Sequence, residues 1–199
     1  MDILQPPLKI VEYPHPSLRH PAKPLTGITR DVQRVAETML ALMYEKRGLG
    51  LAAPQVGIPW QMFVANYAAD PQQKELEGVY INPVIIDRRG SVEADEGCLS
   101  FPDLYQKVRR ARTIKAQAYN LKGELLEVEV SELTARIWQH EVDHLHGILF
   151  IDKLGVLAQL AARGALREFE QNYKRAQQRG DIPPDPVIEQ RLRELEQLA

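Results

Sequence analysis

The cysteine content of this chain limits its fold more than any other feature, because Cys98 is the only cysteine among 199 residues. A chain with one thiol cannot form an intramolecular disulfide, so the small disulfide-stapled secreted folds are excluded. Apolar burial must stabilise the fold instead, and a chain of this length with 44% hydrophobic residues can bury a sizeable core. Cys98 is then either an inert buried side chain or a chemically used one.

The charge balance and the absence of long apolar runs restrict the partners. A net charge of −2 gives no case for nucleic acid or an anionic membrane as an obligatory partner. No stretch approaches the roughly 20 apolar residues of a membrane span, and the first residues lack the basic and apolar regions of a secretion signal. We therefore expect a soluble protein of a reducing cytoplasm.

Short periodic segments predict the helices and strands. The proline-rich opening, up to Ile28, predicts an extended arm with turns. Thr29 precedes apolar residues at helical spacing, which predicts a capped first helix that ends at Gly48. Ser131 predicts the cap of a second helix over residues 132–146. Apolar, β-branched segments predict strands at residues 60–66 and 79–86 and a hairpin of residues 113–119 and 125–130. A third helix is predicted over 155–179, a proline-rich break over 180–186 and a short final helix over 187–198.

The second predicted helix contains the pattern His-Glu-x-x-His. Residues four apart lie on one face of a helix, so His140 and His144 can reach one metal ion while Glu141 projects beside them. Two imidazole ligands and a carboxylate that takes a proton from water are the parts of a hydrolytic metal site. The competing interpretation is a polar helix face without a metal.

A catalytic tetrahedral site takes three protein ligands, so a third ligand has to come from elsewhere. The peptidases that share His-Glu-x-x-His usually find it downstream, where this chain offers Glu168 and Glu170. Upstream, Cys98 offers a thiolate, which is a good soft ligand beside two imidazoles. Cys98 is thus a candidate third ligand, although the residues alone leave both positions open.

The segment GLGLAAPQVG at residues 48–57 is rich in small residues. Small residues let the backbone approach a ligand closely, and the Gln55 amide can donate to a developing oxyanion. By itself the same segment is also typical of a tight turn after the first helix.

Three motifs, in this order, resemble the peptide deformylase family: GLGLAAPQ at 48–55, EGCLS at 96–100 and QHEVDHL at 139–145. Residues 9–19 are similar to the N-terminal arm of the family, so the resemblance covers about residues 9–154. It implies an α+β fold in which small mixed or antiparallel sheets wrap around the helix with the two histidines. The expected catalytic domain spans residues 1–154. Residues 155–199, with a helix, a proline-rich break and a short final helix, are the expected C-terminal appendage of that domain.

The resemblance also implies an activity, which is metal-dependent hydrolysis of the N-terminal formyl group of formyl-methionyl nascent polypeptides with release of formate. The implied metal is Fe2+, with Zn2+, Ni2+ or Co2+ as substitutes. The positions that match the family's metal ligands are Cys98, His140 and His144. Glu141 matches its general acid/base, and Gln55 and the backbone amide of Leu99 match its oxyanion donors.

Further residues are expected around the substrate. The predicted peptide-binding residues are Gly48, Leu49, Gly50, Ile137 and Tyr105. Leu49 and Ile137 are candidates for a methionine pocket, although apolar residues at such positions are common in cores. Tyr105 occupies the place where some members of the family carry an arginine that grips the peptide backbone.

Basic residues near the motifs suggest support for the metal ligands. Arg110 or Arg109 can pair with Asp143 or Glu96, because metal ligands need outer partners that orient them. The alternative is a solvated basic strand.

The C-terminal region differs from that of members whose basic helix docks on the ribosome. Residues 163–199 carry seven basic and seven acidic side chains. A neutral tail argues against strong electrostatic docking on RNA, so we expect no more than transient ribosome association. Direct nucleic-acid binding and membrane binding are not expected, and the oligomeric state stays open.

Two other functions are compatible with parts of the pattern. A His-Glu-x-x-His peptidase predicts that Cys98 is dispensable and that a downstream glutamate binds the metal. A non-catalytic relative would bind formylated or other N-termini, but the presence of every catalytic residue type argues against it.

Overall fold

The computed structural model describes residues 7–199 and confirms the predicted α+β class. Within that range the α-helices are α1 (Arg30–Glu45), α2 (Glu132–Leu145), α3 (Val156–Arg179) and α4 (Asp185–Glu196). The strands are β1 (Gly50–Ala52), β2 (Met62–Asn66), β3 (Glu77–Arg89), β4 (Val92–Cys98), β5 (Phe101–Arg110), β6 (Thr113–Tyr119) and β7 (Leu125–Ser131). None of the helices in this part of the chain is long and apolar enough to cross a membrane.

Helix α1 has the predicted cap and the predicted buried face. The Thr29 hydroxyl accepts a hydrogen bond from the backbone N–H of Val32 at 3.3 Å, which satisfies one of the free donors of the first turn. The fully buried positions are Val32, Val35, Ala36, Met39 and Met43. The helix does not run to Gly48, because it ends at Glu45 and Arg47 takes the left-handed conformation, with φ 55°.

Two antiparallel sheets surround the second helix. Five strands pair in the order β1-β2-β3-β6-β7, and β4 pairs with β5 in a separate two-stranded ribbon. The predicted hairpin is confirmed as β6 and β7, with Tyr119 opposite Leu125. The ribbon was not predicted, because its strands lack a regular alternation of apolar side chains and one inward position is the charged residue Glu96.

Helix α2 lies at the centre of the fold, in contact with β1, β2, β3, β6 and β7. The Trp138 ring lies 5.0 Å from the Phe63 ring and 4.5 Å from the Tyr80 ring, centroid to centroid, and anchors the helix on the larger sheet. Ser131 precedes the helix as predicted, but its hydroxyl bonds to the Thr113 hydroxyl at 2.9 Å and caps no backbone N–H.

The C-terminal helices return to the body of the fold. Helix α3 ends at Arg179 and is followed by Gly180, whose φ of 81° suits a residue without a Cβ. Helix α4 begins at Asp185, two residues earlier than predicted, because a proline is tolerated in a first helical turn. The Trp60 indole N–H donates to the carbonyl of the fully buried Leu195 at 3.0 Å. The His20 ring lies 2.8 Å from the Glu196 carboxylate, so the N-terminal arm contacts the final helix.

Candidate metal centre

The end of β4 and the inner face of α2 bring three potential ligands together. Cys98 Sγ lies 3.3 Å from His144 Nε2, which lies 3.3 Å from His140 Nε2. Their ligand atoms all lie within 4.8 Å of one another, and no other cluster of three such side chains occurs in residues 7–199. The downstream candidate Glu170 lies elsewhere, where its carboxylate accepts a hydrogen bond from the Tyr13 hydroxyl at 3.3 Å.

The donor chemistry of this cluster fits a divalent transition metal. One soft sulfur and two imidazole nitrogens suit Fe2+, Zn2+, Ni2+ or Co2+ better than Mg2+ or Ca2+. Burial lowers the pKa of His144 well below its usual range, which keeps the ring neutral and able to bind a metal. The atoms Glu141 Oε2 and His144 Nδ1 are buried without a hydrogen-bond partner within the described chain. The residues present therefore fit a bound metal ion.

A buried carboxylate orients the first histidine. Glu96 Oε1 lies 2.7 Å from His140 Nδ1, which leaves Nε2 of that ring to face Cys98 and His144. Hydrogen bonds from the ring nitrogen of a metal-binding histidine to a carboxylate commonly fix the tautomer and the ring position. Glu96 is only 6% exposed, so its charge needs partners.

Two arginines supply those partners. Arg110 donates to Glu96 at 2.8 Å and 2.5 Å, and Arg136 donates to it at 2.7 Å. Burial alone raises the pKa of Glu96, but the hydrogen bonds from Arg110 and His140 hold it well below its usual range. Of the two arginines that were candidates for pairing with Asp143 or Glu96, Arg110 pairs with both, and its contact with Asp143 is 2.6 Å.

The structure leaves Arg109 out of this buried network and adds Arg136 to it. Arg109 is 73% exposed, lies 3.8 Å from Glu93 and does not take part in the buried network. Arg136 was not predicted as part of the site. Its spacing offered a signal, because it lies four residues before His140 and therefore on the same helix face.

Glu141 is buried beside the cluster. Glu141 is 4% exposed, and burial raises the pKa of its carboxyl group to about 7. Strand β1 passes directly over this side chain, since a Cβ on Gly50 would lie 2.6 Å from Glu141 Oε1. Only a glycine leaves room there without a shift of the carboxylate.

Gln55 has a fixed orientation next to the cluster. Its Oε1 accepts from the Ala52 backbone N–H at 2.8 Å, so its Nε2 points the other way. That Nε2 donates to Ser100 Oγ at 3.2 Å and to Cys98 Sγ at 3.4 Å. Ser100 is fully buried, and sequence analysis assigned it no role. The N-terminal arm contacts the backbone of Gln55, because the Val11 N–H donates a hydrogen bond to the Gln55 carbonyl at 2.9 Å.

An open cleft of about 660 Å³ leads to these residues. All five predicted peptide-binding residues line it: Gly48, Leu49, Gly50, Tyr105 and Ile137. The two walls of the cleft lie close together at Gly48, because a Cβ added there would lie 2.7 Å from the Leu99 side chain. Tyr105 covers Gly97 and is 67% exposed at the rim. The cleft therefore joins solvent to Cys98, Glu141 and Gln55 along one wall of small residues.

Comparisons with known proteins agree with this geometry. A family model described as polypeptide deformylase matches residues 7–159. A peptide deformylase of Rhodopirellula baltica is 40% identical over 193 residues, which cover 96% of this chain and 94% of that protein. One of Acidobacterium capsulatum is 43% identical over 150 residues, covering 74% of this chain and 86% of that protein. A solved Plasmodium falciparum peptide deformylase superposes with a TM-score of 0.81 at 37% identity, covering 83% of this chain and 97% of that structure.

Proposed function

Given that the chain belongs to the polypeptide deformylase family, we propose that it removes the N-terminal formyl group from formyl-methionyl nascent polypeptides by metal-dependent hydrolysis and releases formate. The observation that carries this proposal is the convergence of three potential metal ligands with a buried carboxyl group and an oriented amide at the base of one open cleft.

Cys98, His140 and His144 would hold the metal, and Fe2+ is the ion that we propose, with Zn2+, Ni2+ or Co2+ as substitutes. When bound, such an ion acts as a Lewis acid that polarises the formyl carbonyl and acidifies water. The contact between Glu96 and His140 keeps the first imidazole in its ligating orientation.

Glu141 is the proposed proton carrier. Its carboxylate takes a proton from the water molecule that attacks the formyl carbon and then gives it to the leaving nitrogen, so that the carbon–nitrogen bond breaks to give formate and a free amine. A pKa of about 7 suits this double role, because a general acid/base works best when its pKa lies near the operating pH.

Gln55 and the backbone N–H of Leu99 are the proposed oxyanion donors. The hydrogen bond that Gln55 accepts from Ala52 aims its amide N–H groups at the cluster before any substrate binds. Loss of one such donor costs about 2.7 to 4 kcal/mol of transition-state stabilisation in other enzymes.

The cleft walls suit a short, unbranched acyl group followed by an extended peptide. Leu49 and Ile137 are the proposed contacts of the methionine side chain, while Gly48 and Gly50 allow the peptide backbone to approach. A formyl carbon carries only hydrogen, so a narrow site admits it and excludes larger acyl groups. Tyr105 is the proposed contact at the rim.

The location and the partners of the enzyme are proposed from its thiol and its charge distribution. A free thiol used as a metal ligand suits a reducing compartment, which favours the cytoplasm. The proposed partner is the formylated nascent peptide. The equal numbers of basic and acidic side chains in residues 163–199 favour transient over strong contact with the ribosome.

The direct test is formate release by protein purified without oxygen and loaded with Fe2+, using formyl-Met-Ala-Ser and acetyl-Met-Ala-Ser. We expect formate from the first peptide and no acetate from the second. Cleavage of an internal peptide bond would favour the peptidase instead. Stoichiometric metal and tight peptide binding without any turnover would favour the non-catalytic relative.

A further inference from the structure

The rim of the cleft carries an arginine with an unusual backbone conformation. Arg47 lies just after α1 and lines the cleft that also contains Cys98 and Glu141. Its φ of 55° is in the left-handed region, where glycine is the favoured residue after a helix. A side chain in this conformation costs stability that glycine would not. Of the five described non-glycine residues with a positive φ, Arg47 and Asp103 are the two that line this cleft.

The charge of Arg47 is not used within the fold. Its side chain is exposed, and no hydrogen bond or ion pair joins it to another side chain of residues 7–199. The adjacent Lys46 differs, because its ammonium group lies 3.0 Å from the Glu45 carboxylate. Arg47 is therefore a free cation at the edge of the wall formed by residues 48–50.

The position of Arg47 favours contact with the part of a peptide substrate that follows the formyl-methionine. The reacting groups lie at the base of the cleft, whereas Arg47 is exposed and immediately precedes the glycines that allow the peptide to approach. A guanidinium has several N–H donors and no acceptor, so its partners are oxygen atoms. Further exposed side chains line the same cleft, namely Tyr105 and the acidic residues Asp95 and Asp103, and Asp95 is paired with Lys107 at 3.7 Å.

We propose that Arg47 is a substrate-binding residue that donates hydrogen bonds to oxygen atoms of the peptide downstream of its formyl-methionine. These acceptors are main-chain carbonyls or an acidic side chain. The proposal rests on the proposed deformylase function, and it assigns to Arg47 a share of the affinity for longer peptides and no share in the chemical step.

The test compares Arg47→Gly with the wild-type protein on three amidated substrates: formyl-methionine, formyl-Met-Ala-Ser and formyl-Met-Ala-Asp. For the two longer peptides we expect KM to rise about threefold to fivefold, the size of an exposed charged contact, with kcat changed less than twofold. For formyl-methionine amide we expect no change. Equal effects on the longer peptides indicate main-chain carbonyls, and a larger effect on the aspartate peptide indicates its carboxylate.

Two controls separate binding from structure. Ala69 has a φ of 53° outside the cleft, so Ala69→Gly relieves the same kind of strain and should leave every KM unchanged. Lys46→Ala removes a neighbouring charge that is already paired, and we expect a smaller effect from it. Arg47→Gly should melt at the same or a higher temperature than the wild-type protein, because glycine suits this backbone.

An unchanged KM for both longer peptides in Arg47→Gly would overturn the proposal, as would an equal rise for formyl-methionine amide. Peptide binding to Glu141→Gln, with and without Arg47→Gly, gives a measure that does not depend on turnover. If the wild-type protein releases no formate, the proposed function fails while this binding comparison still decides the role of Arg47.

Discussion

Helix α2 and the C-terminal helix α3 use their charged residues in opposite ways. Of the 14 residues of α2, ten are buried, and four of these are charged or ionisable: Arg136, His140, Glu141 and His144. Helix α3 has 24 residues, of which only Ala162 and Tyr173 are buried. Charges are costly to bury unless they are paired, and within residues 7–199 the buried charged side chains are those that surround the candidate metal centre.

Apolar contacts hold the C-terminal helices on the body of the fold, and α3 adds Ala162 to the buried cluster that contains Phe101 and Phe150. Leu195 is fully buried in the cluster that also contains Trp60 and the inner face of α1. The Tyr173 hydroxyl donates to Asp185 at 2.7 Å and joins α3 to α4. From these contacts we infer that residues 155–199 are an appendage of the catalytic domain rather than a separate unit.

The largest expected difference in activity is between variants of a buried and of an exposed glutamate of α2. Glu141→Gln keeps the shape of the side chain but removes the proposed proton carrier, so we expect formate release to fall by about 10² to 10⁴-fold. The free energy of unfolding should stay level or rise, because a buried carboxyl without a partner at Oε2 is replaced by a neutral amide. Glu132→Gln, at an exposed position, should leave both quantities unchanged. Equal activity of the two variants would remove Glu141 from the mechanism.

Adjacent arginines of β5 test the buried network in the same way. Arg110→Ala leaves Glu96 and Asp143 short of a partner, and we expect a loss of about 3 to 5 kcal/mol in the free energy of unfolding. Arg109→Ala, which removes an exposed side chain, should cost less than about 0.5 kcal/mol. Urea denaturation measures both. Similar losses would mean that the buried network contributes no more to the free energy of unfolding than a surface ion pair does.

A pair of leucines tests how the C-terminal helices are attached. Leu195→Ala deletes a fully buried side chain and should cost about 2 to 3 kcal/mol, near the lower end of measured core truncations. Leu160→Ala, at a position that is 58% exposed on α3, should change the stability by less than about 0.5 kcal/mol. If both variants unfold at the same urea concentration, α4 is not docked as described.

The smallest expected effect is a pH dependence where the arm meets the C-terminal helices. Burial lowers the pKa of His15 to about 4, against about 6.5 in an unfolded chain. Between these values the unfolded chain binds a proton that the folded chain does not, so stability is lost as the pH falls from 6.5 to 4. We expect this part of the loss to be about 1 to 2 kcal/mol, since the ring is only partly buried.

His15→Asn should reduce that slope. Thermal melting at pH 7 and at pH 4.5 measures the difference between the variant and the wild-type protein. The same slope in both proteins would show that the ring is already hydrated in the folded state.

The spacing of apolar residues made most of the helices predictable, because a single stretch of sequence determines the apolar face of α1 and another determines the length of α3. The β4–β5 ribbon was missed for the opposite reason: Glu96 and Arg110 face inward and stabilise it through each other. A pattern search that expects apolar inward positions cannot find such strands.

The candidate site was predictable in part. The spacing of His140 and His144 placed two potential ligands on one helix face, but no local rule could bring Cys98 to them, since it lies more than forty residues upstream on another element. The soft-ligand chemistry of a thiolate beside two imidazoles made Cys98 a candidate third ligand, and the resemblance then favoured it over the downstream glutamates. Arg136 was missed because a lone arginine in a polar helix is more often solvated.

The most direct test of the metal centre is metal content and cobalt absorption for the wild-type protein, Cys98→Ser and Glu170→Gln. After loading with Co2+, we expect one ion per chain and a sulfur-to-cobalt absorption band in the wild-type protein and in Glu170→Gln. In Cys98→Ser the band should vanish and the affinity should fall sharply. A Cys98→Ser protein that keeps its metal and its spectrum, beside a Glu170→Gln protein that loses them, would contradict the assignment of the centre to Cys98, His140 and His144.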